Sequence, residues 1–380
     1  MHFIIDRNRM VQEIQHVAKA VSSRTTIPIL TGIKLVATTG GLTLTGSDSD
    51  LSIEAFIPTT EEDMEIVTIH EEGSIVLQAK YFVEIVKKLP GETIEIQVQD
   101  QFAATIRSAS SVFNLNGLDP EEYPRLPQLE EDLLFSLPQD MLKNVIRQTV
   151  FAVSTQETRP VLTGVNFETE NGELTCTGTD SHRLALRKTK VERNTEELTF
   201  HNVVIPGKSL QELSKILEDS SDPTEVVVTD NQVLFKLGNL LFFSRLLEGK
   251  YPLTSGMIPT QAKTSFVLKT KPFLQTLERA LLLSREGKNN VINLKTLEGE
   301  QIEITSTSQE VGKVTERLDT SNVEGEDMRI SFNGKNVIDA LKVIDSDDIH
   351  ITFTGVMSPF VIRPTDSDHY LHLFSPVRTY

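Results

Sequence analysis

The chain has 380 residues, 38% of them apolar, with 54 acidic against 37 basic side chains, a net charge of −17 and a single cysteine. That length supports two to four packed domains, that charge argues against coating nucleic acid or membranes by bulk electrostatics, and one cysteine excludes an internal disulfide framework. The opening run MHFIIDRNRM has neither a long apolar core nor a cleavage site, and no apolar stretch approaches a membrane span, so the expected compartment is cytoplasmic.

Met10, Ile14, Val17, Ala18 and Val21 recur at helical spacing, with Arg7, Arg9, Gln12 and Lys19 on other faces, and predict a first amphipathic helix. Ile33 to Val36 and Leu42 to Leu44 flank Gly40-Gly41, and Leu51, Ile53 and Ala55 alternate with polar residues up to Pro58, as the strands of a meander do. Val67 to Leu77 reads as one further strand. Phe82, Ile85, Val86 and Leu89 predict a second helix stopped by Pro90-Gly91, with strands following at Ile94 to Val98 and Ala104 to Ile106. The unit is two helices against an antiparallel sheet, an α+β arrangement.

The same order resumes at Met141, with Leu142, Val145, Ile146 and Thr149 at helical spacing. Ala152 to Ser181 then matches Ala20 to Ser49 at 15 of 30 positions, with a constant offset of 132 and no gap. That is an internal duplication. Gly178, Asp180 and Ser181 stand where Gly46, Asp48 and Ser49 stood, but His182-Arg183-Leu184 replaces Asp50-Leu51-Ser52, so the second copy keeps the fold and carries something extra. Cys176 falls opposite Leu44, an apolar strand position, and is read as buried packing. Leu210, Leu213, Ile216 and Leu217 predict this unit's second helix. A third, fainter pass begins at Phe273, Leu277 and Leu281, crosses a strand at Ile302 to Thr305, and reaches Val337, Ala340, Leu341 and Ile344. Tyr123-Pro124 with Leu126-Pro127, and Tyr251-Pro252 with Ile258-Pro259, close the first two units. The expected domains are 1–130, 131–258 and 259–380.

Charge is partitioned by element. Over the six expected helices, residues 6–20, 79–89, 139–152, 208–217, 271–283 and 335–344, basic residues outnumber acidic ones by seven, so the rest of the chain carries −24. Arg7, Arg9, Lys80, Lys87, Lys88, Lys143, Arg147, Lys208, Lys215, Lys271, Arg279, Lys335 and Lys342 are among their polar faces. Ordinary solvated helices also carry Lys, but six helices of net positive charge in so acidic a chain point to a shared polyanion, and double-stranded DNA is the first candidate. Neighbouring helices sit about 10 Å apart, so six cover roughly 60 Å, half of the roughly 120 Å circumference that a helix lining around a duplex needs. Two identical chains joined head to tail would close the ring. Helices behind a water layer would touch phosphates alone, without sequence preference.

Enzymatic readings fare worse. Asp180-Ser181-His182 names the residue types of a hydrolytic triad, but consecutive residues of an extended segment alternate faces and form no relay. Gly207-Lys208-Ser209 resembles the end of a phosphate-binding loop, yet Asn202 stands where that motif needs Gly. His369 and His372 fall on opposite faces of an expected strand, and no Cys or carboxylate grouping completes a metal site. Neither a metal nor a cofactor is expected.

With AVSSRTTIPILTG at 20–32, GTDSHRLA at 178–185, NVVIPGKSL at 202–210 and SPVRTY at 375–380, the chain resembles the bacterial DNA polymerase III beta subunits, the β sliding clamps, across all three units. The resemblance implies three repeated clamp domains in a half-ring, a homodimer that closes into a six-domain ring around duplex DNA, opening by an ATP-dependent clamp loader, and tethering of DNA polymerases for processive replication, with no catalytic activity. It places a peptide-binding cleft on Leu162, Thr179, Ser181, His182, Arg183, Leu184, Pro252, Met257, Met357, Ser358, Pro359, Leu373, Ser375, Pro376, Val377 and Arg378. It also places a DNA contact on Arg24 and a dimer contact on Leu282 and Leu283, with Phe113 as counterpart. Those leucines equally suit an internal core, and Pro376 to Arg378 equally suit a terminal edge strand. An apolar groove with a few polar anchors is what a short linear peptide needs, and two or three buried side chains at about 1.5 to 3 kcal/mol each, less ordering costs, predict binding of roughly micromolar strength. Pro160-Val161 replaces aromatic residues of some members, so this chain has no ring there to stack on single-stranded template, and Gly256 replaces a basic cleft residue of others. Two other readings stay open: a peptide-binding repeat scaffold that never encircles DNA, and an esterase-like hydrolase.

Overall fold

The computed structural model describes residues 1–22, 24–126, 133–193, 198–284 and 290–378. The expected boundary near 130, with Pro127, lies outside these. The chain forms two compact units, one of Met1–Gln139 with Lys215–Leu246, the other of Asp140–Ser214 with Leu247–Tyr380.

Six α-helices occur among the described residues: α1 Arg7–Val17, α2 Ala79–Lys88, α3 Gln139–Thr149, α4 Gly207–Ser214, α5 Thr270–Ser284 and α6 Gly334–Leu341. Their apolar stripes are buried as the spacing predicts, through Met10, Ile14 and Val17 on α1, Phe82 and Val86 on α2, Val145 and Ile146 on α3, Leu277 and Leu281 on α5, and Val337 and Leu341 on α6. Side-chain caps set two of the starts. Asp6 Oδ1 accepts from Arg9 N at 2.8 Å, and Asn333 Oδ1 accepts from Asn336 N at 3.2 Å. No helix among the described residues is long and apolar enough to cross a membrane.

The 132-residue offset persists in three dimensions. α1, Gly32–Thr38, Gly41–Ser47 and Leu51–Pro58 reappear without a one-residue slip as α3, Gly164–Glu170, Glu173–Thr179 and Arg183–Lys190. The shared glycines have one cause. A Cβ on Gly46 would lie 2.5 Å from Val17 O, and one on Gly178 2.5 Å from Thr149 O, so the last residue of each helix rests directly on a strand that has no side chain there. The two tyrosines do matching work. The Tyr123 hydroxyl donates to Thr45 O at 3.4 Å and the Tyr251 hydroxyl to Thr177 O at 3.0 Å, Thr45 and Thr177 being the same repeat position. Burial pushes both phenols above their ordinary range. Cys176 is buried and its thiol is likewise pushed up by burial, as packing at that position requires.

In the first unit an antiparallel sheet runs in the order Leu133–Pro138, Pro223–Val228, Gln232–Leu237, Leu240–Arg245, Leu51–Pro58, Gly41–Ser47, Gly32–Thr38, Gly73–Gln78. A second, five-stranded sheet runs Ser111–Asn116, Ala103–Ser108, Thr93–Gln99, His2–Asp6, Val67–Glu71. The single strand expected over Val67 to Leu77 is therefore two strands in different sheets. Gly73, at φ +153°, lies at the break, where a Cβ would come within 2.9 Å of Met1 Cβ.

In the second unit nine strands run Phe200–Pro206, Gly164–Glu170, Glu173–Thr179, Arg183–Lys190, Tyr370–Phe374, Phe360–Pro364, Asp348–Phe353, Thr264–Lys269, Ser321–Gly325. A four-stranded sheet runs Gly312–Asp319, Gln301–Ser308, Val291–Leu297, Arg329–Asn333. Strand pairing thus joins successive repeats: Leu51–Pro58 to Leu240–Arg245 in one unit, Arg183–Lys190 to Tyr370–Phe374 in the other. The middle repeat gives strands to both units for this reason.

Candidate peptide cleft and basic helices

The turn at Asp180 is built by its own side chains. Asp180 Oδ1 accepts from His182 N at 2.9 Å and Arg183 N at 3.0 Å, Thr179 Oγ1 donates to Arg183 O at 2.6 Å, and Ser181 sits at φ +76°. The first repeat makes the same turn, with Asp48 Oδ1 accepting from Asp50 N at 3.0 Å and Leu51 N at 2.8 Å, and Ser49 at φ +86°. What the second copy adds is Arg183. Its Nε donates to Asp180 Oδ2 at 3.1 Å, its Nη1 donates to Asp339 Oδ2 of α6 at 2.9 Å, and its guanidinium lies 5.5 Å from the Phe151 ring centre. The Asp180 carboxylate is thereby committed to Arg183 and two backbone N–H groups, which removes the triad reading on geometry.

Beside this turn lies a cavity of about 790 Å³. Leu162, Thr179, Ser181, His182, Arg183, Leu184, Pro252, Met257, Pro359, Leu373 and Ser375 line it. Leu184 and Leu373 face each other as paired strand residues, and Ser375 N donates to His182 O at 2.8 Å. Arg159, Pro160, Val161, Glu248, Gly249 and Lys250 also line it. Sequence reasoning missed these. The signal available was their place in the loops leading to the duplicated turn and to the Tyr251 corner. Leu162, Val204 and Tyr251 form the buried cluster under this wall, with Val161 packed against it. Met357, Ser358, Pro376, Val377 and Arg378 are not part of the lining. Met357 is exposed, Pro376 bridges to Phe332, and Val377 N donates to Ser331 O at 2.7 Å, so the chain end runs beside Arg329–Asn333. A Cβ at Gly256 would meet nothing within 4 Å.

One residue on the strand beside Arg183–Lys190 carries unusual burial. His372 lies inside the strand Tyr370–Phe374, between the Phe151 and Tyr370 rings, and neither ring nitrogen has a hydrogen-bond partner. Complete burial lowers its pKa to about 3, so the ring is neutral. His369 precedes the strand, and no group of His, Cys, Asp or Glu with metal-holding geometry occurs among the described residues.

The basic residues of the helices divide by partner. Arg7 Nη2 donates to Lys87 O at 2.7 Å, tying α1 to α2, and Arg9 pairs with Glu13 at 3.3 Å and Glu61 at 2.9 Å. Lys87 and Lys88 share Glu84, Arg147 pairs with Asp345, Arg279 with Glu316 at 2.6 Å, and Lys342 with Glu278 at 3.1 Å. Lys80 lies over the Tyr81 ring. Lys143 and Lys215 are also engaged. Among the described residues Arg24, Lys208, Lys271 and Lys335 have no carboxylate partner, and Arg24 is exposed. The Arg279 bond holds the Glu316 carboxyl below its usual range.

Phe113, 41% exposed, sits on Ser111–Asn116, the last strand of its sheet. Leu282 is 62% exposed near the end of α5 and Leu283 is half-buried, while Leu281 takes the core position.

Family models for the N-terminal, central and C-terminal domains of the DNA polymerase III beta subunit match residues 1–127, 136–253 and 255–378. The beta sliding clamp of Halalkalibacterium halodurans is 71% identical over 380 residues, the whole of both chains. The crystal structure of the DNA polymerase sliding clamp from Bacillus subtilis superposes with a TM-score of 0.97 at 57% identity, and that of the DNA polymerase III beta chain from Streptococcus pneumoniae with 0.94 at 39%, each covering 100% of both chains.

Proposed function

We propose, since the chain belongs to the family of bacterial DNA polymerase III beta subunits, the sliding clamps, that it acts as a homodimeric ring. The ring encircles double-stranded DNA without sequence preference and tethers polymerases through short linear peptides held in the cleft beside Arg183. The chain is a non-catalytic processivity subunit. An ATP-dependent clamp loader opens the ring in the cytoplasm.

The observation that carries the ring is the pattern of strand edges. Leu51–Pro58 of the first repeat pairs with Leu240–Arg245 of the second, and Arg183–Lys190 of the second with Tyr370–Phe374 of the third. In strand order Gly312–Asp319 is the third repeat's counterpart of Leu51–Pro58, and Ser111–Asn116 the first repeat's counterpart of Leu240–Arg245. Both end their sheets. Pairing one copy's Gly312–Asp319 with another copy's Ser111–Asn116 repeats the junction already made twice within the chain, and two copies satisfy both edges. Exposed Val112, Phe113 and Val311 lie on or beside these edges, and Leu282 on the helix that packs against Gly312–Asp319. The unpaired cations Arg24, Lys208, Lys271 and Lys335 supply sequence-independent attraction to phosphates.

The test is retention on nicked circular DNA after loading, followed by linearisation. A clamp stays on the circle and is lost from the linear form. A peptide-binding scaffold is never retained, and an esterase-like hydrolase turns over a model ester.

A further inference from the structure

The first compact unit holds a second pocket, of about 280 Å³, at the repeat position of the cleft. Arg245 N donates to Asp50 O at 2.8 Å, as Ser375 N does to His182 O. Phe243 pairs with Ser52 as Leu373 pairs with Leu184, and Pro124 follows Tyr123 as Pro252 follows Tyr251. The backbone frame of a groove is kept, and its chemistry is replaced.

Ser52 stands where the cleft has Leu184, Arg245 where it has Ser375, and Arg125 where Leu253 follows the tyrosine corner. Both arginines are exposed. Among the described residues Arg125 has no carboxylate partner, and Arg245 has only Asp50, at 3.9 Å. Gln232 adds a buried Oε1 that accepts no hydrogen bond. Two guanidinium groups ask for an oxyanion. Asp50 and the Gln232 oxygen ask for N–H donors close to it, and Asp50 repels a polyanion such as a phosphodiester chain. A carboxylate flanked by amide N–H groups meets both demands.

We propose that this pocket is a second binding site, for a short acidic peptide segment whose carboxylate lies between Arg125 and Arg245. The class of ligand rests on the peptide reading of the first cleft, while the pocket itself does not. Affinity is weak, because the arginines are solvated and exposed ion pairs contribute little, and it falls with added salt.

The probe is a fluorescein-labelled octapeptide with one central Glu among Ser residues, titrated against the full chain by fluorescence anisotropy at low salt. Saturable binding is expected, weakened at least tenfold by the double substitution Arg125→Glu with Arg245→Glu and at least tenfold by Gln in place of Glu in the peptide. Arg125→Gln alone gives a smaller loss and serves if the double variant melts early. An unlabelled leucine- and phenylalanine-rich peptide that fills the first cleft should not compete. The proposal is overturned by equal binding of the Gln peptide, by unchanged binding to the variants, or by competition from the apolar peptide. Displacement by oligothymidylate at lower concentration than by the acidic peptide overturns it too, assigning the pocket to nucleic acid. Retention of the double variant on nicked circular DNA is read separately, so failure here leaves the ring untouched.

Discussion

Arg183 Nη1 donates to Asp339 Oδ2 at 2.9 Å while the same guanidinium holds Asp180 at 3.1 Å. With its side chain only 11% exposed, Arg183 is a strut between the duplicated turn and α6 rather than a free anchor for a ligand. It shapes the cleft wall through the turn that carries Thr179 and Ser181.

Asp339→Asn should cost about 1 to 2 kcal/mol, because the amide oxygen can still accept from Arg183 Nη1 but the largely buried guanidinium loses one of its two counter-charges. The urea midpoint reads it, and the affinity of a cleft-binding peptide should fall several-fold while the dimer persists. Arg183→Ala should cost more, and Arg183→Lys should not restore it, since an ammonium lacks the fork that reaches both carboxylates. Unchanged peptide affinity in all three variants would remove Arg183 from the cleft's architecture.

Gly46→Ala and Gly178→Ala should each destabilise by about 1 to 3 kcal/mol, the cost of forcing a methyl against a helix-terminal carbonyl at 2.5 Å. Gly256→Ala, facing open space, should stay within about 0.5 kcal/mol of the parent. Thermal midpoints compare the three, and equal midpoints would mean that the helix ends can slide.

His372 predicts an acid weakness. Its pKa is about 3 when folded and near 6.5 when unfolded, so the unfolded chain binds the extra proton. Stability from this group is full above about pH 6.5 and falls as pH drops toward 3, by about 2 kcal/mol at pH 5. His372→Leu should flatten the loss of urea midpoint between pH 7 and pH 5. A slope as steep as the parent's would assign the acid sensitivity elsewhere.

Leu282→Asp should leave the folded protomer within about 0.5 kcal/mol, the side chain being exposed, yet convert dimers to monomers in sedimentation. Leu282→Ala with Leu283→Ala should do so less completely. A dimer that survives both moves the contact away from the end of α5.

Lys271→Ala and Lys335→Ala should each lower the slope of log affinity against log salt for short duplex DNA by about one. No change in slope would take these lysines off the DNA path.

The helices were legible because their apolar stripes are local: one sequence window contains the whole signal. The duplication was legible because its two copies align at a constant offset with no gap, down to the turn at Asp180. The strand over Val67 to Leu77 was misread because apolar residues on both sides of Gly73 belong to different sheets, and only Met1, far away in sequence, explains the break. Charge was overread. Glu61 and Glu316, each tens of residues from the arginines they meet, neutralise Arg9 and Arg279, so counting along helices overstates the free positive charge. The cleft was readable at its strands and turn but not at Glu248 to Lys250, where Gly249 lies beside Val161 and Asn202 Nδ2, 47 residues away, donates to Gly249 O at 2.8 Å. Pro376 and Val377 likewise follow a strand partner, Phe332 and Ser331, that no spacing announces.

Because Leu240–Arg245 completes the sheet begun by Leu51–Pro58, dissecting the molecule at its sequence repeats would tear a hydrogen-bonded seam. A fragment ending after the first repeat would bare one margin of Leu51–Pro58 and invite aggregation. Proteases and deletion mapping should therefore respect the seam: residues 215–246 survive only in company with 1–139, and neither part is expected to be a stable product alone.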